Sequence, residues 1–160
     1  MRFYSFVNAT YMSQLQLGIQ TAHCVAEMML HRNENSVTQW ADEHKTIIVL
    51  NGGNVEGLTG IEDFFSERAN PYPFVSFYED KASLNDAITC VGVVLPEDIY
   101  ETAKLVRNRV IYQERGEIDY RYRIGSLEEN ARRAELCQLY NHMDSWHYDL
   151  ITLLNSCKMA

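Results

Sequence analysis

Gln20 and His23 stand three residues apart, a carboxylate pair follows at Glu79-Asp80, and Asn51-Gly52-Gly53-Asn54 separates an apolar run from a helix-like stretch. On a helix, side chains three apart share a face. Gln20 and His23 therefore form either the remnant of a polar site completed by Asp80, or a satisfied pair at a helix–sheet seam. The seam is the expectation, because a motif match without its structural context is only a hypothesis. Two carboxylates can divide acid and base work, but neighbours on a strand point to opposite faces, so an acidic strand end is expected at Glu79-Asp80. The Asn51–Asn54 stretch has the position of an anion-binding loop. It lacks the lysine and glycine spacing of the phosphate-binding motifs, and an ordinary tight turn is expected.

Other chemistry is weaker. His142 and His147 are five apart, with Asp144 and Asp149 nearby; helical metal ligands favour spacings of three or four. Cys24, Cys90, Cys137 and Cys157 form no C-x-x-C pair. Reduced thiols, no metal and no cofactor are the expectation. Arg107, Arg109, Arg115, Arg121 and Arg123, with Tyr120 and Tyr122 among them, would suit a phosphate or base-stacking surface. Glu114, Glu117 and Asp119 interleave with these arginines, which favours pairing on a solvated face.

The elements that must position these groups follow from periodicity. Residues 2–8 read as a strand, 14–31 as a helix with Leu15, Ile19, Ala22, Ala26 and Met29 on its apolar stripe, and 37–41 as part of a second helix. The run 46–50 is β-branched and apolar, the pattern of a strand buried on both faces. Asn54 can cap a helix carrying Leu58, Ile61 and Phe65 inward. Pro71 and Pro73 end that helix. Strands follow at 74–78 and 89–95, joined through the polar turn 80–86. Pro96 opens a helix reaching toward Val110. Residues 117–124 alternate as a half-buried strand or an arm. Ser126 and Glu129 form a capping box, beginning one long helix lined by Leu136, Leu139, Tyr140, Met143, His147, Leu150 and Leu154.

This order predicts an α/β fold, a mixed four-stranded sheet flanked by helices, with a C-terminal arm and long helix. The turn before the fourth strand is too short for a parallel crossover, so that pair is expected to be antiparallel. Residues 1–100 would form the α/β domain and 101–160 a helical extension packed on it. The final helix has too many large apolar residues to stand alone in water. It must cover its own lobe or meet a second copy.

The chain has 160 residues, 46% apolar and 11% aromatic, with a net charge of −8. That composition excludes disorder. Its longest apolar run is far below the ~18 residues of a membrane span. The N-terminus lacks an apolar signal region, so no membrane association and a cytoplasmic location are expected. Residues 1–100 carry 5 Lys+Arg and 13 Asp+Glu, whereas residues 101–160 carry 9 of each. An acidic balance of this kind repels polyanions.

The segment from Met12 to His23 resembles the start of the type II peptidyl-tRNA hydrolase family, with Met12, Gln20 and His23 at the family's Met, Gln and His. Gln39-Trp40 precedes the second strand, Glu79-Asp80 ends the third, and Thr89-Cys90-Val91-Gly92-Val93 resembles the family's T-x-x-G-I/V run. The resemblance covers residues 2–100. It implies hydrolysis of the ester joining a peptide to tRNA, with Asp80, His23 and Thr89 as catalytic positions and Gln14, Gln16 and Gln20 as substrate-binding positions. Gln14 and Gln16 stand where the family places lysines, Leu84 where it places a threonine, and the loop to Thr89 is shorter. Loss of one positively charged or hydrogen-bonding stabiliser of an oxyanion commonly lowers rate by ~10²–10³.

The expectation is therefore a non-enzymatic acidic interaction protein on a degenerate hydrolase scaffold. Its partner would be a basic protein surface, with tRNA disfavoured and a homodimer allowed by the final helix. The alternative is an active esterase with a rearranged Asp80/His23 site. In size and balance the chain is similar to small phage-encoded proteins, which would place it in a host cytoplasm.

Overall fold

The computed structural model describes residues 1–10, 12–31, 33–111 and 125–160. The sequence-predicted strand at 117–124, with Arg115, Arg121, Arg123, Tyr120 and Tyr122, lies outside them. The described residues form an α/β structure with a four-stranded mixed sheet and seven helices. They separate into two compact units, Met1–Pro96 with Cys157–Ala160, and Glu97–Ser156. None of their helices is long and apolar enough to cross a membrane.

In the first unit, the strands are β1 (Arg2–Asn8), β2 (Ile47–Gly53), β3 (Phe74–Tyr78) and β4 (Ile88–Leu95). Their spatial order is β2-β1-β4-β3. β1 runs parallel to β2 and antiparallel to β4, and β3 is antiparallel to β4. Every residue of β4 is buried, as is every residue of β1 after Arg2, so the two central strands are covered on both faces. β2 is not, contrary to its apolar sequence. It lies at the sheet edge and Ile47 is exposed. The chain's end covers part of that edge: Asn51 N donates to Lys158 O at 2.8 Å and Ala160 N to Val49 O at 3.2 Å.

Alternation along β1 assigns the helices to opposite faces. Phe6 meets Phe65 of α3 (Val55–Ser66). Phe3 stacks on Trp40 and Ser5 reaches Thr21 of α1 (Gln14–Met29) on the other side. Trp40 opens a π-helical turn, Trp40–His44, that extends α2 (Asn35–Gln39). Its indole donates to Thr46 O at 2.9 Å, anchoring the turn at the start of β2. α4 (Lys81–Leu84) is a single turn between β3 and β4.

α1 faces the sheet with a different stripe from the one its hydropathy predicts. Leu17, Gln20, Thr21, Cys24 and Met28 are buried. Leu15, Ile19, Ala22 and Ala26 are exposed. The cause lies in the sheet beneath: Gln20, Thr21 and Cys24 find polar partners there, which makes their burial tolerable. The close approach is possible because β4 carries Gly92 beneath Cys24; a Cβ there would stand 2.4 Å from Phe3 and 2.8 Å from the Cys24 sulfur.

The second unit comprises α5 (Glu97–Arg107), α6 (Leu127–Asn141) and α7 (Ser145–Ser156). α5 stops three residues short of Val110. Arg109 adopts a left-handed φ of 56°, and Val110 N closes the end on Leu105 O at 2.9 Å. The single long helix expected after Ser126 is two. α6 ends at His142, and Asp144 starts α7 by accepting from His147 N at 2.9 Å. His147 also binds Asp144 through Nδ1 at 2.8 Å rather than sitting as a purely apolar lining residue. The Ser126–Glu129 capping box is present. Leu136, Tyr140, Trp146, Leu150, Ile151 and Leu154 are buried. Arg132 of α6 reaches Asp98 and Glu101 of α5, both at 2.6 Å.

Candidate functional site

The resemblance directs attention to where α1 crosses the ends of β3 and β4. Gln20 projects from α1 onto Thr89 of β4. The Thr89 hydroxyl donates to Gln20 Oε1 at 2.7 Å, and Gln20 Nε2 donates to Glu79 Oε1 at 2.5 Å. Thr89 also lies 3.5 Å from Phe77 O. This row of three side chains links segments 59 and 69 residues apart. Thr89 is 1% exposed and Gln20 5%, so both polar groups have exchanged water for each other.

His23, one turn along α1, is exposed and lies flat on Phe77, with ring centroids 4.5 Å apart and planes at 4°. The structure thus brings Gln20 and Thr89 together, with His23 beside them across the Phe77 ring. Asp80 is adjacent in sequence to Glu79 but is otherwise engaged. It is the N-cap of α4, accepting from Ser83 N at 2.7 Å and from Ser83 Oγ at 3.1 Å. The Ser83 backbone and hydroxyl bonds hold its carboxyl below the ordinary carboxylate value. A carboxylate of such lowered basicity suits a cap and opposes a role as general base near neutrality. The two neighbouring carboxylates therefore diverge, one toward α1 and one toward α4.

The two glutamines at the lysine positions also differ. Gln16 closes a capping box, accepting from Ser13 N at 2.8 Å through Oε1 while its own N–H donates to Ser13 Oγ at 3.3 Å. Gln14 is exposed in the first turn of α1. Asn54 caps α3 by accepting from Gly57 N at 3.0 Å, and Gly53 before it has a φ of +87°, so Asn51–Asn54 acts as a strand-to-helix turn. No group of three metal-ligating side chains occurs among the described residues.

A second polar cluster lies deeper under α1 and carries no exposed chemistry. Ser5 Oγ is 3.0 Å from Thr21 Oγ1 and 3.1 Å from Cys90 Sγ. Contact with the Cys90 thiol and burial push the Cys24 thiol far above its usual range. Both sulfurs are buried, and a thiol held protonated is a poor nucleophile. At the solvent end of β3, the Tyr78 hydroxyl donates to Glu62 of α3. Partial burial and that bond push the phenol up to about 12.

Glu79 as the acceptor for Gln20, and Phe77 as the shelf for His23, were not assigned these parts from sequence. Alternation along β3 places Phe77 and Glu79 on one face, and that face is the side on which α1 packs. No protein-family model matches the chain, and no curated protein matches it.

Proposed function

We propose that this chain is a non-enzymatic, acidic interaction protein on a degenerate peptidyl-tRNA hydrolase II-like scaffold. The order of elements through β4 supports the scaffold: Gln20 and His23 stand on the first helix, Asp80 follows the third strand, and Thr89 lies in the fourth. One observation carries the loss of catalysis. The polar atoms at two of the three expected catalytic positions, and at Gln20, are engaged by the fold itself, Thr89 by Gln20, Gln20 by Glu79, and Asp80 by Ser83, while His23 lies exposed against the Phe77 ring. Among the described residues, no cation joins the Gln20–Thr89–Glu79 row, and nothing there neutralises a developing oxyanion.

The partner is a basic protein surface. Glu56 and Asp63, seven residues apart on α3, share a solvent-facing stripe that continues to Glu67 past the helix end. A chain at −8 with this acidic face attracts basic surfaces and repels phosphate backbones. The test is release of tRNA from a peptidyl-tRNA mimic, run beside a tRNA-binding titration. Neither turnover nor binding is expected at physiological salt. Turnover that Asp80→Ala abolishes would overturn the reading and establish an active esterase.

A further inference from the structure

We propose that Cys157–Ala160 act as a guard strand, a latch in cis that opens on its own and whose closure keeps the edge of β2 from pairing with other copies of the chain. The inference rests on the sheet edge and stands independently of the functional reading. β2 and β3 are the two edges of the sheet, and an edge strand presents unpaired backbone groups to any strand that approaches. β3 carries its own protection: it has five residues, Pro73 precedes it, and Glu79 and Asp80 follow it. β2 has no such protection over residues 46–51, Thr46-Ile47-Ile48-Val49-Leu50-Asn51. That run is β-branched at four of its six positions and contains no charge, proline or glycine, the composition of segments that stack in cross-β pairing. Ile47 stands 43% exposed on it.

Four residues cover this edge. The chain leaves the first unit at Pro96 and comes back to it with Cys157–Ala160. Leu50 faces Met159 in an antiparallel bridge, flanked by the bonds from Asn51 N to Lys158 O and from Ala160 N to Val49 O. Side chains add little to that contact: Lys158, Met159 and Ala160 are exposed, Met159 at 69%. Ordering each of the four residues costs backbone entropy, which two backbone bonds with little apolar burial barely offset. A segment held in this way opens and recloses while the sheet stays folded.

The backbone groups that the segment uses, Asn51 N–H and Val49 C=O, are those that a strand from another copy would use. Closure in cis wins at low concentration, because a segment of the same chain returns at an effective concentration that copies in solution do not reach. Net charge is a second barrier. Each copy carries −8, which slows encounter until salt screens it. At the edge itself that barrier is absent: Lys45 is the one charged residue from 45 to 55, so two β2 strands would pair without bringing carboxylates together. The latch therefore guards the one place on β2 where charge does not.

Hydrogen exchange of the full chain, read residue by residue, tests the latch; thioflavin T fluorescence with a thiol reductant present tests the guard. The Asn51 amide should exchange faster than those of Val91 and Val93 in β4, at a rate that low denaturant leaves unchanged, as local opening requires. Ala160→Pro removes the donor to Val49 O and keeps Met159 extended. It should speed exchange at Asn51 by about tenfold, the weight of one backbone bond, and leave the unfolding midpoint near the parent's. At about 100 µM it should shorten the lag before fluorescence rises, and added salt should shorten it further. Ala160→Ser, which keeps the N–H, should behave as the parent does. Ile47→Lys added to Ala160→Pro should restore the parent's lag, because a charge on an edge strand blocks pairing. An Asn51 amide as slow as those of β4 would overturn the proposal. So would an Ala160→Pro chain that aggregates no faster than the parent, or one whose aggregation Ile47→Lys leaves unchanged. A fall in the Ala160→Pro midpoint as large as that of a core substitution would overturn it equally, making the segment part of the sheet's stability rather than a latch upon it.

Discussion

Two helices cover the two faces of one sheet and obey different rules. α3 turns Leu58, Ile61 and Phe65 inward and leaves Glu56 and Asp63 in solvent. α1 turns Gln20 and Thr21 inward and leaves Leu15 and Ile19 in solvent. The residues beneath each helix account for the contrast. Under α3 the sheet offers Phe6. Under α1 it offers Ser5, Thr89 and Cys90, whose polar groups meet those of α1. Hydropathy fixes a helix's buried face when polar side chains have no partner across the layer. It fails when they do, because a satisfied hydrogen bond offsets most of the desolvation cost.

The largest effects should come from the apolar anchors common to both inner faces. Met28→Ala in α1 and Leu58→Ala in α3 each remove a fully buried side chain. Each should destabilise by about 2–5 kcal/mol, read as the shift in a denaturant unfolding midpoint. If Met28→Ala cost no more than an outer-face substitution, the assignment of α1's buried side would be wrong.

The next effect is specific to α1. Thr89→Val removes the donor to Gln20 Oε1 and leaves a buried acceptor unpaired, a loss of about 1–3 kcal/mol. Gln20→Met made alone should cost a comparable amount. The two together should cost clearly less than their sum, because the double variant leaves no orphaned partner within that pair. Strict additivity in chemical denaturation would show that Gln20 and Thr89 do not act as a pair.

The parts of this molecule legible in the sequence are those set by neighbours along the chain. β1, β3 and β4, the Asn54 cap, the Ser126 capping box and the antiparallel β3–β4 pair all follow from local patterns. Features set by distant contacts were not legible. The edge position of β2 depends on sheet order and on Lys158 and Ala160 returning to it. The Gln20–Thr89–Glu79 row joins three remote segments. The break at Asp144 had a local signal, an aspartate three residues before His147, but it was hidden inside an otherwise continuous apolar pattern. At the candidate site, the residue positions were legible and their occupation by the fold was not.

On the outer faces the comparison sharpens in the opposite direction. Ile19→Gln on α1 and Thr59→Gln on α3 alter exposed positions, and each should lie within about 0.5 kcal/mol of the parent in chemical denaturation. A loss as large as that of Met28→Ala for either variant would show that its position is not on the solvent side of its helix.

The smallest effect belongs to Asp80, the neighbour of Glu79 that takes no part in the row under α1. Its carboxyl is held below the ordinary value by Ser83, so ionised Asp80 favours the folded state. That contribution is complete above the unfolded-state value of about 3.9 and disappears as pH falls through the lower folded-state value. Asp80→Asn keeps a side chain able to cap α4 but does not titrate. The parent should therefore melt slightly higher than the variant above about pH 5 and lose that margin in stronger acid. A catalytic carboxyl tuned as a base would show the opposite sign: with its folded-state value raised toward neutrality, its ionised form opposes folding, so the parent would gain stability against the variant as pH falls from 7. Melting curves of the two proteins from neutral to acid pH distinguish a helix cap from a reserve of catalytic charge at the end of β3.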